Sequence, residues 1–130
     1  MKIRYGFRQV GDVEVFYREA GASDAPVILL LHGFPTASHM FRDLIPLLAD
    51  RFRLVAPDLP GFGQTKVPPR GTFDYTFDRL ADVIEGFVDA LSLDQYVLYT
   101  FDYGAPVGLC LAMRHPERIC DRLAERQRLH

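Results

Sequence analysis

Three short stretches carry residues able to do chemistry: Thr100-Phe101-Asp102-Tyr103-Gly104, His32-Gly33-Phe34-Pro35 and Asp58-Leu59-Pro60-Gly61-Phe62-Gly63. In the first, a carboxylate stands between two small residues, Thr100 two positions before it and Gly104 two after. That spacing suits a sharp turn from a strand into a helix, where neighbouring backbone crowds the flanking positions and the central side chain projects. A carboxylate with an ordinary pKa of about 4 is ionised at neutral pH and attacks without help from a base. Its chemistry is displacement at a saturated carbon bearing a leaving group, which leaves an alkyl ester on the protein. A general base is needed only afterwards, to drive water onto that ester. Asp102 also fits a plain helix cap, but capping does not account for the small-x-Asp-x-small pattern or for the other two stretches.

These residues need elements to hold them. Val13 to Arg18, between Gly11 and Gly21, reads as an antiparallel strand near a sheet edge, paired with Ile3–Val10. Pro26 to Leu31 is a continuous apolar run, the pattern of a strand buried on both faces. Ser38 to Ala49 has apolar residues at helical spacing, with Pro46 expected to distort or divide the helix. Phe52 to Ala56 is the next buried strand, followed by an ordered loop over Pro57–Gly71. Thr76 caps a helix to Leu91, Tyr96–Phe101 is a third buried strand, and a helix over Gly104–Arg114 is ended by His115-Pro116. Two leading strands followed by β-α-β-α-β-α predict an α/β fold, a mostly parallel sheet covered by helices on both faces. Ligands of such sheets bind beyond the carboxyl ends of the strands, where all three stretches fall.

With those motifs in place, the chain resembles the α/β-hydrolase superfamily, and within it the epoxide hydrolase and haloalkane dehalogenase branch, in which aspartate replaces serine as nucleophile. The resemblance runs from about Gly6 to about Ile119. It implies that Asp102 is the nucleophile and that the backbone N–H groups of Phe34 and Tyr103 form an oxyanion hole for ester breakdown. It makes His32 structural, shaping the oxyanion loop with Gly33 and Pro35, and gives Gly104 its place in the elbow. The implied partner is a small apolar epoxide or organohalide, taken by full-length relatives. No cofactor and no metal is implied.

The branch stays open. His32-Gly33-Phe34-Pro35 looks more like epoxide hydrolases and some haloacid dehalogenases than haloalkane dehalogenases, which commonly have asparagine at the Phe34 position. Tyr103 replaces the tryptophan usual in both groups; it either faces the pocket or packs against a cap in a longer homologue. Family members continue through a cap domain and further strands that supply a second acid and the histidine base. Residues 1–119 are therefore expected to be the N-terminal part of the fold, truncated before the cap and last strands. Residues 120–130 form an atypical, arginine-rich polar tail, read either as a frameshifted or prematurely ended frame or as a short amphipathic helix. His115 lies about 18 Å from Asp102 along the intervening helix, His130 is terminal, and His39 follows the oxyanion loop on its own helix. The expected behaviour of the chain alone is therefore that of an incomplete, inactive hydrolase. The competing reading is a non-catalytic partner protein pairing through an exposed sheet edge.

Composition narrows the remaining classes. A net charge of −2 gives no electrostatic reason to expect nucleic acid or a membrane surface as partner. The longest apolar run, Val27–Leu31, is far short of the roughly 20 residues of a membrane helix, and the first residues do not pattern as a signal peptide. Cys110 and Cys120 lack metal-ligand spacing, so a reduced, cytoplasmic protein is expected. Gly61 and Gly63 superficially suggest a phosphate loop, but no Gly-Lys-Ser/Thr follows and Pro68-Pro69 stands where a helix should start.

Overall fold

The computed structural model describes residues 2–69 and 72–120. Residues 70 and 71 of the long loop and the tail from Asp121 on lie outside the described residues, as does His130. Strands β1 (Arg4–Val10) and β2 (Val13–Ala20) form a hairpin in which Val10 faces Val13. Gly11, at φ 58°, takes the left-handed position that a two-residue turn requires. Strands β3 (Val27–Leu31), β4 (Arg53–Pro57) and β5 (Val97–Thr100) follow, giving one sheet of order β1-β2-β4-β3-β5. It is mixed: β1, β2 and β4 run antiparallel in turn, while β4, β3 and β5 are parallel neighbours.

The apolar run in β3 is explained by its two faces. Alternate side chains of a strand point to opposite sides. Leu29 and Leu31 pack with Val55 against Ile84, Phe87, Val88, Val107 and Leu111, which come from α2 (Phe77–Ala90) and α3 (Gly104–Arg114). Ile28 and Leu30 pack on the opposite side with Leu54, Phe41, Ile45 and Phe52. Helix α2 begins where expected, with the Thr76 hydroxyl accepting the Arg79 N–H at 3.1 Å.

The helix expected over Ser38–Ala49 is divided into a 3₁₀ turn, Ser38–Phe41, and a short α1, Leu44–Leu48. The break falls before Pro46 rather than at it. Proline has no N–H for the carbonyl four residues back and its ring clashes there, so the helix restarts with Pro46 inside its first turn.

Strand β5 stands at the sheet edge among the described residues, one residue shorter at each end than the sequence suggests. At its amino end, Tyr96 is bridged in parallel by Ile119, with Tyr96 N–H donating to the Arg118 carbonyl and Cys120 N–H to the Tyr96 carbonyl. No described helix is long and apolar enough to cross a membrane.

Candidate active site

The turn from β5 into α3 is held by sterics. Asp102 sits at φ 54°, a left-handed conformation uncommon for a residue with a Cβ and best tolerated by Asn and Asp. Gly104 N–H donates to the Phe101 carbonyl and Ala105 N–H to that of Asp102, at 2.9 and 3.0 Å. A Cβ on Gly104 would lie 2.3 Å from the Leu31 carbonyl oxygen, and one on Gly33 would lie 2.4 Å from the Asp102 Cβ. The two glycines therefore let the loop after β3 and the turn after β5 meet. Where they meet, Phe34 N–H donates to Asp102 Oδ2 at 2.8 Å. The following Phe34–Pro35 peptide bond is cis.

Around this contact stands an aromatic collar. Tyr103 packs on Phe34, Phe62 and Phe77, with centroid separations of 5.5, 6.5 and 5.4 Å. Phe34, Tyr103 and Asp102 itself are exposed, so the carboxylate opens outward. Phe62 also lines a cavity of about 560 Å³, together with Thr36, His39, Met40 and Arg42 but not Asp102.

His32 is fully buried. Its Nε2 accepts the Leu59 N–H at 2.8 Å, which leaves Nδ1 to carry the proton and donate to the Gly33 carbonyl at 2.9 Å. Burial holds its pKa below the usual histidine value, which agrees with a ring whose Nε2 accepts a hydrogen bond. Nε2 thus ties the loop after β3 to the end of β4, while Nδ1 is occupied within that loop.

Asp58 is the buried polar residue that sequence reasoning passed over, seen there only as the start of a glycine-rich strand end. It is buried, and its carboxylate accepts the Ser38 N–H at 2.7 Å and the Gln64 N–H at 2.8 Å. Its carbonyl accepts the Thr65 hydroxyl, whose oxygen accepts the Phe16 N–H. A sequence signal was present: an aspartate at a buried strand end, five residues before Gly63, which is at φ 55°. Its partners, at positions 38 and 64, carried no mark.

The other histidines lie elsewhere. His115 follows the last residue of α3, at the opposite end from Asp102, with Nε2 3.0 Å from Glu85 Oε2. His39 is exposed on the 3₁₀ turn. Among the described residues no group of three or more His, Cys, Asp or Glu is placed to hold a metal ion. Cys110 and Cys120 are both free.

The family model of the alpha/beta hydrolase fold matches residues 26–120, which include the loop after β3, the end of β4 and the turn after β5. The chain belongs to the α/β-hydrolase family. It is 55% identical over 112 residues to an uncharacterized hydrolase of Saccharomyces cerevisiae, a match covering 85% of this chain and 38% of that protein. It is 39% identical over 108 residues to a haloalkane dehalogenase of Psychrobacter cryohalolentis, covering 82% of this chain and 35% of that enzyme. Among solved structures, haloalkane dehalogenase DbeA of Bradyrhizobium elkani superposes with a TM-score of 0.84 at 36% identity, covering 91% of this chain and 40% of that one. The chain thus spans two fifths or less of the length of these α/β-hydrolase relatives.

Proposed function

We propose that this chain carries the nucleophile half of a hydrolase site acting on small organohalides, with Asp102 as nucleophile. The observation that supports this most is the Phe34 N–H on Asp102 Oδ2 at the sharp turn after β5. With Oδ2 held by a donor, Oδ1 is the oxygen free to attack. A new C–O bond forms as the carbon–halogen bond breaks, and the halide leaves with the bonding pair. Oδ2 then becomes the ester carbonyl oxygen, already beside the donor that would stabilise it as an oxyanion when water adds. The Tyr103 N–H is the second donor in this reading, and His32, Gly33, Pro35 and Gly104 keep the two loops in contact.

Dehalogenase relatives make a carbon–halogen bond the first choice of substrate. A halide also needs no proton in order to leave, whereas an epoxide oxygen does. The aromatic collar suits an apolar alkyl group. The second step is where the described residues run short. His32 is engaged at both nitrogens and His115 is on Glu85, so neither drives water onto the ester. His39, exposed on the 3₁₀ turn, lines a cavity that does not include Asp102, so the described residues should form the alkyl-enzyme and stop.

Halide release from a small reactive bromoalkane tests this. The expected result is about one equivalent of bromide per chain, the burst expected when a covalent intermediate accumulates, and none above background in Asp102→Asn. Continued release that Asp102→Asn abolishes would show a complete site and contradict the half-site reading. Release indifferent to Asp102→Asn would remove Asp102 as nucleophile.

A further inference from the structure

Two adjacent residues at the end of β4 hold both ends of the loop that carries Phe34. Leu59 N–H binds His32 at the start of the loop, and Asp58 Oδ1 accepts the Ser38 N–H at its end. Between these ties the loop is folded on itself, with the Thr36 N–H and hydroxyl both donating to the Gly33 carbonyl at 2.9 and 2.7 Å. Asp58 Oδ2 accepts the Gln64 N–H, which fixes the Gly61–Gly63 turn whose Phe62 ring packs on Phe34. The fit is close: a Cβ on Gly63 would stand 2.1 Å from Asp58 Oδ2.

Asp58 is also chemically unusual. It is 1% exposed, and none of the ion pairs among the described residues includes it. Burying a carboxylate without a cation is costly, so what it provides must be geometric. Of the short side chains, only a carboxylate offers two acceptor oxygens and no donor. Asparagine could accept from one of the two N–H groups but would turn its own NH₂ against the other.

We infer that Asp58 is a positioning residue that aims the Phe34 N–H at Asp102, acting through residues 34–38 and touching no substrate. This rests on the reading above, in which the Phe34–Asp102 contact belongs to the site. Its consequence is that the nucleophile's orienting donor is set from inside the core, from the strand two places away in the sheet.

The test is residue-resolved amide exchange on the full chain. In Asp58→Asn the Phe34 amide should exchange about tenfold faster or more, the loss expected for one charge-assisted bond, while the Leu29 and Leu30 amides of β3 keep their protection. Ser38→Pro removes the donor and leaves the carboxylate in place. Ala37 is extended, at φ −150° and ψ −176°, as a residue before proline must be, and position 38 opens a helical turn. The same selective loss at Phe34 is expected there. If Asp58→Asn loosens β3 and β4 wholesale, Ser38→Pro decides the matter. Unchanged Phe34 exchange in a folded variant overturns the positioning role. Asp102→Ala serves as the reference and should itself speed Phe34 exchange. An effect there with none in Asp58→Asn or Ser38→Pro overturns the positioning role alone. No effect in Asp102→Ala would overturn both this inference and the contact on which the proposed function stands.

Discussion

The loops after β3 and β4 and the turn after β5 meet at one point, yet they are supported in different ways. In β3 and β4 four of five residues are buried, whereas no residue of β5 is. His32 and Asp58 lie inside with their polar atoms bonded, while Phe101, Asp102 and Tyr103 stand exposed. The donor side of the site is built from buried polar ties. The Asp102 side depends on the sterics of one turn and on α3, which is anchored through Val107 and Leu111 and pinned to α2 by Arg114 on Asp82 and Glu85. The orienting half is thus part of the core, and the half that would react sits on the edge strand.

If that contrast is right, truncation should be far more damaging on one side than on the other. Leu29→Ala, at a fully buried position, should cost about 2–5 kcal/mol. Leu109→Ala, on the outward face of α3 and 60% exposed, should stay within about 0.5 kcal/mol. Urea unfolding of the two variants measures this directly, and equal losses would break the comparison.

The junction between the halves should be intermediate. Gly104→Ala drives a methyl group toward the Leu31 carbonyl, and the forced backbone shift should cost about 1–3 kcal/mol. It should also separate Phe34 from Asp102, seen as loss of a distinct Phe34 amide signal. A variant of wild-type stability with that signal unmoved would mean the turn is not sterically set.

A smaller effect should appear in pH. Burial lowers the His32 pKa, so the unfolded chain takes up a proton more readily than the native state does. Its contribution to stability is therefore complete above the unfolded value of about 6.5 and is lost as pH falls from there through the folded value. Melting temperatures at pH 8, 6 and 5 should fall along that series, and His32→Gln should reduce the part of the fall between 8 and 5. An unchanged slope in that variant would exclude His32 as its source.

These contrasts also show what was readable in the sequence. The elbow was, because small residues at fixed offsets are a steric demand that leaves its mark on the chain itself. Helix α2 was, through its Thr76 cap and its repeat of Leu80, Val83, Ile84, Phe87 and Val88. The clamp at Asp58 was not: its value lies in two backbone donors 20 positions before and 6 after it, and an N–H has no sequence signature. The Arg114 cluster was hidden for a similar reason, since it joins charges about 30 residues apart on two helices. The break in the Ser38–Ala49 segment was anticipated from Pro46, but its position before the proline follows from the carbonyl the ring displaces.

The smallest effect concerns the edge. Unpaired strand edges with apolar flanks invite association. Tyr99 and Phe101 are 51% and 52% exposed, in and just after β5, the edge strand among the described residues. Sedimentation at rising concentration should show self-association, weakened in Tyr99→Lys. A compact monomer at all concentrations would show that this edge is adequately covered.

In the proposed function Asp102 is a competent nucleophile held by Phe34, and the described residues do not complete the second step. Intact mass after exposure to a small alkyl bromide, followed by peptide mapping, tests it most directly. A single alkyl group per chain is expected on Asp102, persisting for hours and absent in Asp102→Asn. Label spread over surface carboxylates and cysteines, and unchanged in that variant, would contradict it.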